Sequence, residues 1–318
     1  MKPNIVILDD WEHGLERLID WSDIQDRCQL TIYHDRLRDE QLLAAVAQAQ
    51  CIVLMRDRTP FPKSLIAQLP KLKRIIFTGT RNNTLDQQAA EAAGIQVTAT
   101  EFGPSKAGTC ELAWSLILAS LKKLPDLLVT PQQPLWRTPA ICQHLPEVLE
   151  GKRLGLIGLG HIGKRMAAVG RAFGMQVQVW SPHMTPERAS EEHASSVSLE
   201  TLLATSDVVS LHIVVSDTTR KLLNSDTLAL MQPDSLLVNT SRASLIDTPA
   251  LVSALQQRRP GFAALDVFDD EPGIAPELLA LPNVLLTPHM GFVSEQVYRK
   301  FASNVQQQLT QWLDETAQ

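Results

Sequence analysis

The sequence predicts an α/β protein made of two successive βα series, each with a mostly parallel sheet, and three observations predict it. Short β-branched runs alternate with amphipathic stretches along most of the chain, the pattern of βαβ units. A stretch at 124–146 carries Pro125, Pro131, Pro134, Pro139 and Pro146 with little periodicity, leaving no room for a long regular element between the two series. At 318 residues, the chain is long enough for two cores of ordinary size.

In order, residues 5–8 (Ile-Val-Ile-Leu) read as a buried strand, followed by a helical pattern, a strand at 30–33, a helical segment at 40–50 and a strand at 51–55. The alternation continues through 64–66, 75–77, 85–93 and 95–97, with Gly94 where a helix C′ residue belongs. The 124–146 stretch is expected to be a connecting loop. A second series follows at 153–157, 163–173, 175–180, 199–204, 208–214, 228–231, 236–239, 248–258, 262–267 and 284–287. The two series share a grammar but show no alignable repeat. A final helix at 294–315 repeats Val297, Phe301, Val305, Leu309, Trp312 and Leu313 at three- and four-residue spacing, so it must lie on an apolar surface.

Composition excludes several classes. Hydrophobic residues at 44% and charged residues at 20% describe a globular chain, not a disordered one. A net charge of −6 gives no global positive field for nucleic acid or an anionic membrane, so neither is expected as a partner. The longest apolar run, 112–121, reaches about half of a bilayer span and reads as a core helix. Cys28, Cys51, Cys110 and Cys142 are scattered without a C-x-x-C pair, so reduced structural thiols and no metal centre are expected. The first residues run straight into a strand with no signal-peptide pattern, which makes a cytoplasmic location the expectation.

The strongest motif is 154–163, Leu-Gly-Leu-Ile-Gly-Leu-Gly-His-Ile-Gly, a buried strand flowing through G-x-G-x-x-G into the helical segment 164–173. Gly158 suits the tight turn, Gly160 lets a backbone approach a pyrophosphate, and Gly163 permits close helix–strand packing. His161 and Ile162, inside the fingerprint, are further candidate cofactor contacts, and the diphosphate would meet the positive end of the helix dipole. The pattern predicts dinucleotide binding. An acidic residue about 20 positions on normally meets the adenosine ribose, but the strand Val177-Gln178-Val179-Trp180 ends in Ser181-Pro182-His183. Serine removes the charge that repels a 2′-phosphate, and His183, Thr185 and Arg188 follow, so NAD(H) and NADP(H) both stay open.

Three further patterns each place a polar residue just after an apolar strand: Val238-Asn239-Thr240-Ser241-Arg242, then Ala264-Leu265-Asp266 to Glu271-Pro272, then Thr287-Pro288-His289-Met290-Gly291. Ligands of open α/β sheets bind outside the carboxyl ends of strands, so Arg242, Asp266, Glu271 and His289 are candidates for one crevice. With 151–160, these stretches stand in the order found in the D-isomer-specific 2-hydroxyacid dehydrogenases, which the chain resembles over nearly its whole length.

The resemblance implies two Rossmann-like domains: a discontinuous substrate domain of 1–103 and 288–318, completed by the C-terminal helix, and a dinucleotide-binding domain of 104–287. It implies hydride transfer between NAD(P)H and a 2-oxo or D-2-hydroxy acid in the crevice between them. His289 would be the general acid/base, Glu271 its charge partner, and Arg242 the clamp on the substrate carboxylate. Thr240 and Asp266 would join Ser181 and the glycine turn in holding the cofactor. Backbone N–H groups of Thr78, Gly79 and Thr80 would share the carboxylate, with Arg56 and Arg81 as extra cations. Family members usually form homodimers through the cofactor domain.

The chain departs from the pattern at Ser181, in the loop Gly79-Thr80-Arg81-Asn82-Asn83, at Val214-Val215 where Pro-Leu is usual, and at Phe292 where a second glycine is frequent. With the chain ending soon after the last helix, an added regulatory domain is not expected. A formate dehydrogenase would carry Gln beside the histidine, and Glu271 argues against it. A non-catalytic dinucleotide-sensing role, like the family's corepressor branch, is the alternative. The sequence names no substrate.

Overall fold

The computed structural model describes residues 2–127 and 145–316 and divides into two compact units, Met1–Ser105 with Val293–Gln318, and Lys106–Phe292. The first unit holds β1 (Asn4–Leu8), β2 (Gln29–Ile32), β3 (Cys51–Leu54), β4 (Arg74–Phe77) and β5 (Gln96–Ala99). They form one parallel sheet in the order β2-β1-β3-β4-β5. The inner strands β3 and β4 are buried throughout, as expected of a parallel sheet covered on both faces. Val6, Leu8, Ile52, Leu54, Phe61 and Ile75 form the core of one face. Gly94, at φ 75°, follows the helix Gln87–Ala92 as its left-handed C′ residue.

The helix Glu295–Thr316 belongs to this first unit. All six apolar residues expected to face inward are buried, together with Tyr298 and Ala302. Polar contacts fix its register: Asn304 Oδ1 accepts from Glu101 N (2.9 Å), and Gln308 bonds Thr98 Oγ1 (2.6 Å) and the Ala99 carbonyl (3.0 Å). At its N-terminal end, Arg58 reaches Glu12 with both arms, Nη1 to Oε2 at 2.9 Å and Nη2 to Oε1 at 2.6 Å. The same guanidinium donates to the Asp9 carbonyl (2.6 Å) and to the Tyr298 hydroxyl (3.2 Å), and lies over the Trp11 ring. Tyr298 in turn donates to Glu12 Oε2 (2.7 Å). Burial opposes the Glu12 charge, but Arg58 and Tyr298 outweigh it and hold the carboxyl below its ordinary range. Gly14 is glycine here because a Cβ would collide with the Tyr298 ring.

The second unit holds β6 (Arg153–Ile157), β7 (Gln176–Trp180), β8 (Ser195–Ser196), β9 (Val208–Leu211), β10 (Leu236–Asn239), β11 (Phe262–Leu265) and β12 (Val284–Leu286). Their order is β12-β11-β10-β9-β6-β7-β8, all parallel. The order reverses between β6 and β9, which puts the glycine turn after β6 at the switch point.

Some boundaries differ from the sequence reading. The helix after the glycine turn starts at His161, not 164, because Gly160 is its N-cap. β9 stops at Leu211 although the apolar run continues to 214, and the two-residue edge strand β8 has no apolar signal. Leu124–Leu127 is a short helical turn; the rest of the expected loop, through 144, and Cys142 lie outside the described residues. Residues 288–292 group with the second unit, because Met290 and Gly291 are bonded to Asp266 beyond β11.

Arg58→Met leaves Glu12 charged and without its bidentate partner in a largely buried site. Urea unfolding should show a loss of about 3 kcal/mol, the lower end of the cost of breaking a buried pair; a change within 0.5 kcal/mol, the ordinary range of surface substitutions, would mean the network carries no stability.

Candidate active site

The three glycines of the fingerprint have three different reasons to be glycine. Gly158 has φ 102°, and a Cβ there would run into the His212 carbonyl; a Cβ on Gly163 would collide with the Gly158 carbonyl. Around Gly160 a Cβ would meet nothing within 4 Å. Gly160 N-caps the helix His161–Ala172 without any side chain on its first N–H groups. Open space in front of an uncapped helix N-terminus fits a diphosphate. His161 is exposed, and Ile162 leans on the core. The buried Thr240 Oγ1 has no hydrogen-bond partner among the described residues, an orphan that a bound ligand would satisfy.

Ser181 follows β7 and is partly buried, and its carbonyl accepts from Met184 N (3.1 Å). Thr185 caps the helix Pro186–Glu191, and Arg188 folds back so that Nη1 donates to the His183 carbonyl (2.7 Å). The loop 181–185 that follows β7 thus holds no carboxylate, and Arg188 stands in the helix after it beside Glu187.

Beyond β10, the buried Asn239 shapes the next turn. Its Oδ1 accepts from Ser241 N (3.0 Å), and its Nδ2 donates to the Arg242 carbonyl (2.9 Å). Ser241 Oγ ties the turn to the Ile213 carbonyl (2.9 Å). This Asx turn presents Arg242 to solvent, with Nη1 resting on the Ser241 carbonyl (2.7 Å). The sequence motif contained Asn239 but did not reveal its task.

Beyond β11 and β12, Asp266 is fully buried and organises the histidine turn. Oδ1 accepts from Thr287 Oγ1 (2.6 Å) and Met290 N (2.7 Å), and Oδ2 from Gly291 N (2.8 Å). Burial pushes its pKa up despite these donors. Both Asp266 oxygens thus accept hydrogen bonds from the loop that carries His289.

His289 has φ 56°, an uncommon left-handed conformation for a residue with a side chain, held by its braced neighbours. Its Nδ1 lies 2.7 Å from Glu271 Oε2, and Glu271 Oε1 accepts from Phe268 N (3.0 Å). Phe292 packs edge-on against the imidazole, 5.7 Å between centroids at 86°. The departure seen in sequence therefore supports the ring. Burial opposes the Glu271 charge, but His289, the Phe268 N–H and the nearby Arg242 together set its pKa below the ordinary range. The carboxylate keeps its charge, and its grip on Nδ1, as pH falls past the usual Glu titration, and loses both only below its lowered pKa. With Nδ1 facing a carboxylate, Nε2 is the nitrogen left for chemistry.

The loop after β4 differs from expectation. Thr78 N donates to the Leu54 carbonyl (2.9 Å) and Gly79 N to Thr100 Oγ1 (2.8 Å), so neither N–H is available to a carboxylate in this conformation. Thr80 and Arg81 are exposed. Arg56 is engaged within the first unit, donating to the Thr78 and Arg81 carbonyls and lying over the Phe102 ring.

Residues 114–291 match the family model described as D-isomer specific 2-hydroxyacid dehydrogenase, NAD binding domain. The chain is 34% identical over 273 residues to the glyoxylate reductase of Thermococcus litoralis, covering 84% of this chain and 82% of that one. It is 31% identical over 280 residues to the hydroxypyruvate reductase of Thermotoga maritima, with 87% and 89% covered. Among solved structures, the phosphoglycerate oxidoreductase of Vibrio cholerae superposes with a TM-score of 0.88 at 34% identity, over 99% of this chain and 100% of that one. With a family model spanning more than half its length and relatives this similar over most of theirs, the chain belongs to the D-isomer specific 2-hydroxyacid dehydrogenases and carries their NAD-binding domain.

Proposed function

We propose that the protein reduces a small 2-oxo acid to the D-2-hydroxy acid, with His289 supplying the proton. The observation that carries this is the 2.7 Å contact between His289 Nδ1 and Glu271 Oε2, which directs Nε2 outward as the acid/base nitrogen. The bound dinucleotide supplies the hydride. Arg242 grips the substrate carboxylate through two parallel hydrogen bonds and polarises the 2-oxo group. His289 Nε2 gives its proton to the carbonyl oxygen, or accepts it from the hydroxyl in the reverse direction, while Glu271 balances the charge of the imidazolium.

Relatives named glyoxylate reductase and hydroxypyruvate reductase support a small 2-oxo acid as substrate. The same names favour turnover over the sensing role. NADPH is accepted beside NADH in this reading, because Ser181 places no carboxylate at the end of β7 and Arg188 lies in the helix that follows.

A panel of glyoxylate, hydroxypyruvate, its 3-phosphate and phenylpyruvate, followed by loss of reduced-nicotinamide absorbance, should give fastest turnover with one of the first two. On that substrate His289→Ala should cut kcat about 10²–10⁴-fold, and Arg242→Lys should lower kcat/KM about tenfold or more. Activity of His289→Ala near the parent's removes the histidine from this role. Ser181→Asp should raise KM for NADPH while sparing NADH; equal effects on both would locate the selectivity elsewhere. Gly160→Ala should weaken NADH binding, read by fluorescence titration, with the melting temperature unchanged. Gly163→Ala should instead destabilise the fold by about 1–3 kcal/mol through overpacking.

A further inference from the structure

In the first unit, His13 sits just before the short helix Gly14–Leu18, Glu16 lies in that helix, and His34 follows β2. The strand pairing of β1 with β2 brings them together. His13 Nδ1 is 3.0 Å from Glu16 Oε2, and His34 Nε2 is 3.4 Å from the same oxygen. All three ligand atoms lie within 4.8 Å of one another.

Two features show a built arrangement. Asp10 is fully buried, and its carboxylate accepts from the backbone N–H groups of Gly14, Leu15 and Glu16, which fixes the helix start that carries Glu16. The Asp10 carbonyl stands 3.0 Å from His34 Nδ1. A ring nitrogen that donates to a backbone carbonyl leaves the other with its lone pair outward, as metal-ligating histidines are commonly oriented. His34 Nε2 then faces the Glu16 carboxylate oxygen, so a cation placed between them could be held by both. The two imidazoles are stacked, 3.7 Å between centroids and 16° between planes, so at least one ring must rotate to aim both at one ion.

We propose that His13, Glu16 and His34 bind one divalent transition-metal ion, Zn²⁺ in preference to Mg²⁺ or Ca²⁺. Two imidazoles and one carboxylate are a zinc donor set, and bonds of about 2.0–2.1 Å in a tetrahedron separate ligand atoms by about 3.3 Å. The two distances to Glu16 Oε2 bracket that value. Side-chain exposures of 48% for His13 and Glu16 and 26% for His34 leave an entry path and room for water as the fourth ligand. The ion would join the turn after β1 to the end of β2. The proposal is independent of the dehydrogenase reading, and its test reads no enzyme activity.

Tag-free, chelator-treated full-length protein is titrated with ZnCl₂ in a calorimeter, with MgCl₂ as control. The expected result is one equivalent of Zn²⁺ bound, no heat from Mg²⁺, and affinity lowered at least tenfold in His34→Ala and in Glu16→Gln. Absence of zinc binding, or binding unchanged in both variants, overturns the site. Metal-free melting curves that match the parent's establish that the variants fold. If His34→Ala fails there, His13→Ala carries the test through Co²⁺: visible d–d absorption gained by the parent and lost in the variant supports the site, and equal absorption in both overturns it.

Discussion

The second unit's site rests on one fully buried carboxylate. Asp266 holds Thr287, Met290 and Gly291 at once, and so fixes the residues on either side of His289. A turn pinned at both flanks keeps His289 at positive φ with its ring on Glu271. Such a carboxylate is costly to bury and is stabilised here by three donors in fixed positions. Through Thr287, Met290 and Gly291, Asp266 sets the turn on which the His289 ring and its contact with Glu271 depend.

The parallel register explains why motifs distant in sequence meet. Asn239 pairs with Leu265, and Leu265 with Leu286, so Thr240, Asp266 and Thr287 leave the sheet at the same level on its carboxyl side. Each adjoining turn is then set by local hydrogen bonds: Asn239 for Arg242, the Phe268 N–H for Glu271, and Asp266 for His289. Rigid strands supply the coarse placement and buried polar side chains the fine one. Pre-organisation of this kind lets catalytic groups act without reordering at the moment of reaction.

Much of this was legible because it depends on period and spacing. The apolar runs, the glycine turn and the stripe on the last helix are local patterns, and the strands and helix fell close to where those patterns put them. Arg242, Glu271 and His289 were visible as polar residues after strands. What the sequence hid is three-dimensional. Nothing in Asn239 or Phe292 distinguishes a turn-former or a ring support from a packing residue. The Gly79 N–H carries no sign of its distant acceptor Thr100. His13 and His34 come together only because β1 pairs with β2.

The last helix has a meaning for how the chain is made. Its apolar stripe covers a surface built by the first hundred residues, and the entire second unit is synthesised in between. A nascent chain on the ribosome can complete the second unit while the first still exposes the bed for Tyr298, Phe301 and Trp312. Until the final residues emerge, Arg58 and Glu12 also wait for the hydroxyl that bridges them. Synthesis therefore runs out of order with folding: the first unit is closed only after the second has been made, and a chain stalled before this helix would leave uncovered the apolar face that the helix covers.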